Sequence, residues 1–269
     1  MGGSSPRVAL TIAGSDSGGG AGIQGDLKTF AALGVYGTSA ITSITAQNTT
    51  GVVEAAVLSA DLVTAQIEAV AGDIEIHAVK TGMLGDAAVV EAVAAAIKEL
   101  DLPLLVVDPV LASTAGVRLL DDDGLEMLRD ELLPLARVVT PNVPEAEVLS
   151  GTRIQSEDDL RDAARRIHGR GAGAVIITGG HHARYSREVI DTLFDGHRFS
   201  EFRTPRIDSP NTHGTGCTFS AAVAAFLALG ETLELAAQHA QAYVGGAIEH
   251  SISIGKGSGP LGHFYRRYT

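Results

Sequence analysis

The sequence predicts an α/β fold of three layers, a mostly parallel central sheet with helices on both faces. Three observations carry this. Short β-rich runs alternate with Ala-rich helical patterns, a Gly-containing turn joins two runs near residue 196 into an antiparallel hairpin, and no composition break, charge block or repeat divides the 269 residues.

In chain order, "RVALTIA" reads as the first strand and Ile23 to Leu33 as the helix after it. "SAITSITA" reads as a strand before a helix from Asp61 to Ala71, and "IHAVKT" as one before a helix from Ala87 to Leu100. "LLVVD" and "RVVT" follow as strands, and a helix from Glu157 to Gly169 leads into the strand "AVIIT". "EVIDTLFDG" and "HRFSEFR" form the edge hairpin, and the chain closes with helices from Cys217 to Leu229 and from Leu233 to Glu249. A chain of this length, 45% hydrophobic, buries roughly three quarters of its unfolded surface, so residues 1–269 are expected to form one domain with residues 1–6 frayed.

A net charge of -12 with only 20 Lys+Arg opposes attraction to nucleic acid or an anionic membrane. A bound phosphate must therefore be held locally, by backbone N–H groups, a few Arg or Lys and a metal ion. The single cysteine, Cys217, excludes an internal disulfide, and neither a leader nor a membrane-spanning run is present, so a cytoplasmic location is expected.

In open parallel sheets ligands sit beyond the carboxyl ends of the strands. The residues there are Gly14, Ala46-Gln47-Asn48, Gly82-Met83, Asp108-Pro109, Pro141-Asn142 with Glu145, and Gly179-Gly180-His181. Small, amide and carboxylate side chains recur, as a cleft for a polar small molecule requires.

"AGSDSGGGAGIQGDLKTF" contains Gly-x-Gly-x-x-Gly at Gly20, Gly22 and Gly25. A dinucleotide fingerprint needs its first glycine in the turn right after the strand and an acid about 20 residues on. Here Gly14 to Gly19 intervene, and the next strand ends in "TAQN" with no acid. The glycines instead permit close backbone approach to some other ligand, with Asp16 and Asp26 at its flanks.

"NTHGTGCTFSAAVAAFLALG", from Asn211 to Gly230, carries the stronger signal. Gly214 and Gly216 open an apolar helix, whose free N–H groups and positive end converge on an anion. Cys217, in the first turn, is expected to have its thiol pKa lowered from about 8.5 toward roughly 3.5 to 7.5, which places a base beside a phosphate. The alternatives are a plain glycine cap and an inert core cysteine. No Gly-x-x-x-x-Gly-Lys-Ser/Thr motif is present.

The segments "TIAGSDSGGGAGIQGDLKTF", "YGTSAIT", "TAQNT", "KTGML", "VVDPV", "TPNVPEAE", "NTHGTGCTFSAA" and "GKGSGP" closely resemble the hydroxymethylpyrimidine and phosphomethylpyrimidine kinases of thiamine biosynthesis, in the ribokinase-like superfamily. The likeness runs from about Arg7 to Phe264. It implies a ribokinase-like fold, ATP as co-substrate, Mg²⁺, a homodimer, and two successive phosphorylations of the aminopyrimidine of thiamine. Cys217 would be the base, with the N–H groups of Gly214, Thr215, Gly216 and Cys217 holding the transferring phosphoryl group. Gly14, Gln47 and Met83 would contact the pyrimidine, and Asp26 would serve either the substrate or its glycine loop. Asn142, Thr178, Gly180, Gly214 and Gly216 would bind ATP. Asp108 and Glu145 would contact Mg²⁺ through water, Asn142 and Glu145 being aimed the same way by one helical turn.

The chain departs from the family pattern at two places. Many relatives have Lys before Gly-Gly-His, where this chain has Thr178, and the lid after "VVDPV" reads Ser113 to Val117 without the usual cation. Only Lys28, Lys80, Lys98 and Lys256 remain among the lysines. His181, His182 and His213 read as hydrogen-bonding loop residues and not as a zinc site. A pyridoxal kinase on the same scaffold, a non-catalytic ligand-binding relative and an NAD-linked oxidoreductase are the competing readings.

Overall fold

The computed structural model describes residues 5–112, 118–179 and 187–267. Residues 1–4, within the stretch expected to fray, the lid Ser113–Val117, and Gly180, His181 and His182 lie outside these. The elements are β1 (Val8–Ala13), α1 (Gly22–Ala32), β2 (Tyr36–Ile41), β3 (Ser43–Asn48), β4 (Gly51–Val57), α2 (Ala60–Ala71), β5 (Ala78–Thr81), α3 (Ala87–Glu99), β6 (Leu105–Val107), α4 (Asp122–Met127), β7 (Val138–Val139), α5 (Val143–Ser150), α6 (Glu157–His168), β8 (Val175–Ile177), β9 (Glu188–Phe194), β10 (Phe199–Pro205), α7 (Thr215–Ala228) and α8 (Leu233–Glu249).

Eight strands form the main sheet in the order β10-β9-β8-β7-β6-β5-β1-β2. The six from β2 to β8 are parallel, and the hairpin β9–β10 adds an antiparallel edge. Alternation along each strand feeds two cores. Leu10, Ile12, Leu105 and Val107 pack with α2, α3, α5 and α6, while Ala9, Val106 and Ile176 pack with α1, α7 and α8. This is the α/β three-layer arrangement that the alternation of runs predicts. Every residue of α7 from Thr218 to Ala228 is buried, and its many alanines let it lie close against both sheet and α8.

Three features differ from the sequence reading. "SAITSITA" is not one strand. At Thr42 the backbone N–H turns back to Ala13 O (3.0 Å), and the chain leaves the main sheet as β3, which pairs with β4 in a separate two-stranded flap. β4 went unread because its apolar residues face outward, Val53 being 80% exposed, so no buried stripe marks it. The helical stretch from α4 through Leu135 is likewise additional. Among the described residues no helix is long and apolar enough to cross a membrane.

Candidate active site

The two glycine motifs, far apart in sequence, form one surface. Asp16 accepts hydrogen bonds from the N–H groups of Gly18 (2.8 Å), Gly20 (3.0 Å) and Ala21 (2.8 Å), and its Oδ2 lies 2.9 Å from His213 Nε2. Burial opposes ionisation of Asp16, but the His213 contact and the Ala21 and Gly18 amides outweigh it and hold the carboxyl below its ordinary value. Lys28 closes the loop by donating to Gly19 O at 2.6 Å. Gly214, the N-cap of α7, has φ +83°, and a Cβ there would fall 2.0 Å from Gly20 O, so only glycine allows the two loops to touch.

Among the described residues, the N–H groups of Gly214, Gly216 and Cys217 have no protein acceptor, as the start of a helix dictates. Thr215 differs from the expectation. Its N–H points to Thr212 O (3.3 Å), and its hydroxyl donates to the same carbonyl (2.7 Å), which removes it from the set of amides available to an anion.

Beneath this nest runs a buried ionic chain. Lys80 on β5 is fully buried, its Nζ 2.9 and 3.0 Å from the two oxygens of Asp26 on α1 and 3.8 Å from Asp108 after β6. Thr11 donates to Asp26 Oδ2 at 2.6 Å, and Ser220 of α7 donates to Asp108 Oδ2 at 2.9 Å. Contact with both Asp26 oxygens marks an ion pair. Burial opposes the Lys80 charge, but Asp26, Cys217 and Asp108 together hold its pKa above the ordinary value. One cation thus serves two carboxylates, and burial pushes Asp108 up, with Lys80 and Ser220 pulling it back.

Asp26, expected to serve either the substrate or its glycine loop, is in the fold the partner of Lys80 and Thr11. Both of its oxygens are engaged by Thr11 and Lys80, and it is fully buried. Lys80 is the residue that motif reasoning passed over. The signal was present, because a lone lysine in the apolar strand run "IHAVKT" has to find a buried partner.

Cys217 sits in the first turn of α7, partly exposed. The expected lowering of its thiol pKa is not met. Burial pushes the thiol up to about 12, Asp108 and Asp26 add to this, and the Lys80 charge and the Gly22 amide only partly oppose it. Burial is the largest of these effects, and the first-turn position of the thiol does not reverse it.

Asn142 and Glu145 form a capping box at the start of α5. Glu145 N donates to Asn142 Oδ1 and Asn142 N to Glu145 Oε2, each at 2.9 Å. The two side chains share one helical turn, as the spacing predicts, but each is first a partner of the other. Burial, and then the charge of Asp108, push Glu145 up to about 8, which puts two oxygen-donor carboxylates in one anionic field. Thr178, after β8, bridges to Asn142, its N–H donating to Pro141 O at 3.0 Å. On the other side, Gly14 N donates to Met83 O (3.0 Å), and Met83 Cε and Ser43 Oγ occupy the space where a Gly14 side chain would go. Gln47 Nε2 lies 3.4 Å from His213 Nε2, so Gly14, Met83, Gln47 and His213 line the flank of the nest nearest the flap.

Residues 16–262 match the phosphomethylpyrimidine kinase family. The chain belongs to that family. A hydroxymethylpyrimidine/phosphomethylpyrimidine kinase of Synechococcus elongatus is 50% identical over 96% of this chain and 97% of its own length. A thiamine biosynthesis bifunctional protein of Geobacter sulfurreducens is 48% identical over 94% of this chain, which spans 51% of that longer protein. Among solved structures, an ADP complex of Bacillus subtilis pyridoxal kinase superposes with a TM-score of 0.90 at 40% identity, covering 98% of this chain and all of that one. Membership of this kinase family, with its ribokinase-like α/β fold, accords with the anion nest at α7 and removes the NAD-linked reading.

Proposed function

We propose that this phosphomethylpyrimidine kinase family member transfers the γ-phosphoryl group of ATP to the hydroxymethyl group of 4-amino-5-hydroxymethyl-2-methylpyrimidine, and then phosphorylates the monophosphate, giving the diphosphate used to make thiamine. The observation that carries this is the start of α7, where unpartnered amides of Gly214, Gly216 and Cys217 and one thiol stand over the buried Lys80, beside a wall formed by Gly14, Gln47 and Met83.

The acceptor pyrimidine lies along Gly14, Met83 and Gln47, the Gln47 amide matching a ring nitrogen and the amino group. ATP lies along Asn142 and Thr178 with its terminal phosphate in the nest, where amides placed in advance stabilise the charge spread over the equatorial oxygens. Cys217 takes the hydroxyl proton. Lys80, held by Asp26, supplies the fixed positive charge beneath the sulfur. The oxygen donors of Asp108 and Glu145 suit a hard divalent cation held through water, and Mg²⁺ there would supply the counter-charge that offsets the field those carboxylates direct at the thiol. Neither step needs a membrane or a nucleic acid. The enzyme works in the cytoplasm as a homodimer, for which the outward-facing Ile44, Val52, Val53 and Val57 of the flap offer an apolar face.

The second reading, a pyridoxal kinase, is favoured by the 0.90 TM-score to a pyridoxal kinase. Phosphoryl transfer from ATP to the hydroxymethylpyrimidine, its monophosphate and pyridoxal, run in parallel, tests both. Turnover of both pyrimidines ahead of pyridoxal is expected, whereas turnover of pyridoxal alone reassigns the acceptor.

A further inference from the structure

Asp191, on β9, has a buried carboxylate in none of the roles above. Its Oδ1 accepts the Gly179 N–H at 2.8 Å, and its Oδ2 accepts from Gln241 Nε2 of α8 at 2.9 Å. The same Gln241 amide donates to Phe202 O of β10 at 2.9 Å, and Phe202 is the strand partner of Asp191. Among the described residues no cation meets this carboxylate. Burial pushes it up to about 6, with the Gly179 and Gln241 bonds opposing. A buried charge without a counter-ion costs free energy, and here it is spent on two hydrogen bonds, one of them to the backbone at the end of β8.

That backbone is tightly confined. A Cβ on Gly179 would fall 1.9 Å from Ile190 O, so Gly179 lies directly on β9. The preceding residue, Thr178, is tied on its other side to Pro141 O and bridged to Asn142. The Thr178–Gly179 peptide is thus clamped between the turn that carries Asn142 and the carboxylate of Asp191.

We infer that Asp191 is a positioning residue for the nucleotide: by holding the Gly179 N–H it keeps Thr178 in line with Asn142, so that ATP meets an edge already in place. This rests on the proposed placement of ATP along Asn142 and Thr178. Asp191 touches no substrate, and its effect runs through Gly179 alone.

The test is calorimetric binding of a non-hydrolysable ATP analogue with Mg²⁺, and separately of the hydroxymethylpyrimidine, to wild type and to Asp191→Ala, Asp191→Asn and Gln241→Ala. Loss of a charge-assisted bond predicts analogue binding about tenfold weaker in Asp191→Ala. Pyrimidine binding is expected to stay at the wild-type level. Asp191→Asn, whose amide oxygen still accepts from Gly179, is expected to restore analogue binding to near wild type, and Gln241→Ala to fall between. If Asp191→Ala does not fold, the other two decide, and a Gln241→Ala protein matching wild type overturns the inference. Equal weakening of both ligands, or unchanged analogue binding in Asp191→Ala, also overturns it. Analogue binding that responds as expected in a protein that ignores the pyrimidine leaves this inference standing and removes the acceptor assignment. A wild-type protein that does not bind the analogue removes both.

Discussion

Lys80 stands at the centre of the site's electrostatics. It is fully buried, shared by Asp26 and Asp108, and placed under the only sulfur of the α7 turn. Lys80→Met leaves the Asp26 carboxylate buried without its partner, which is expected to destabilise the fold by about 3–5 kcal/mol, read as a lower urea midpoint. The double variant Lys80→Met with Asp26→Asn removes both charges together. It is expected to recover most of that loss while activity stays low, because the sulfur has still lost its neighbouring cation. Recovery of activity along with stability would show that Lys80 serves only the fold. Asp191 gives a pH signature. Its carboxyl has a folded value of about 6, above the ordinary 3.8, so between these values the native state holds a proton that the unfolded chain has released. Stability therefore falls as pH rises from about 4 to about 6, by an amount on the order of 3 kcal/mol. Asp191→Asn is expected to flatten that slope in urea titrations at a series of pH values, and an unchanged slope assigns it to another group.

Among the elements, α7 and the main-sheet strands were legible in sequence for a physical reason. Helix α7 and the inner strands are covered on their faces, so "VALTIA" or "TFSAAVAAFLA" shows its burial as composition. The flap was not, because β4 turns its valines outward and β3 continues β2 with only Thr42 between them. The nest was readable from Gly214, Gly216 and the apolar run behind them, but the thiol pKa was not, since it depends first on burial and then on Lys80, Asp108 and Asp26, which the fold brings in from distant parts of the sequence. At the end of β8, Thr178, where the family resemblance leads one to expect lysine, brings no charge to the proposed nucleotide edge. Thr178→Lys is expected to lower the KM for ATP by about two- to fivefold, as one exposed ion pair allows, with the KM for the pyrimidine unmoved. A steady-state titration of ATP checks this, and an unchanged or higher KM would mean that the missing lysine costs this enzyme nothing.

Across the whole molecule, the sheet collects onto one edge residues spread from Gly14 to Cys217, and only that assembly explains the roles of Asp16 and Lys28. In sequence Asp16 reads as a flank of the ligand loop and Lys28 only as one of few lysines, yet in the fold Asp16 ties the glycine loop to His213, and Lys28 closes it through Gly19 O. With a net charge of -12, the molecule offers no general attraction for ATP, so the proposed binding relies on the local nest and on a divalent cation that Asp108 and Glu145 would hold through water. The proposed homodimer has its own test in the exposed flap valines. Val53→Asp is expected to shift the protein from dimer to monomer in sedimentation, and a dimer that persists would place the contact elsewhere.

The central claim is that Cys217, at the mouth of the α7 nest, takes the proton of the acceptor hydroxyl. It is tested most directly by the rate of phosphoryl transfer from ATP to the hydroxymethylpyrimidine in Cys217→Ala beside wild type, with melting curves for both. The account predicts a kcat lower by about 10²- to 10⁴-fold at an unchanged melting midpoint. A variant that turns over at a rate comparable to wild type would contradict it and move the base to another residue.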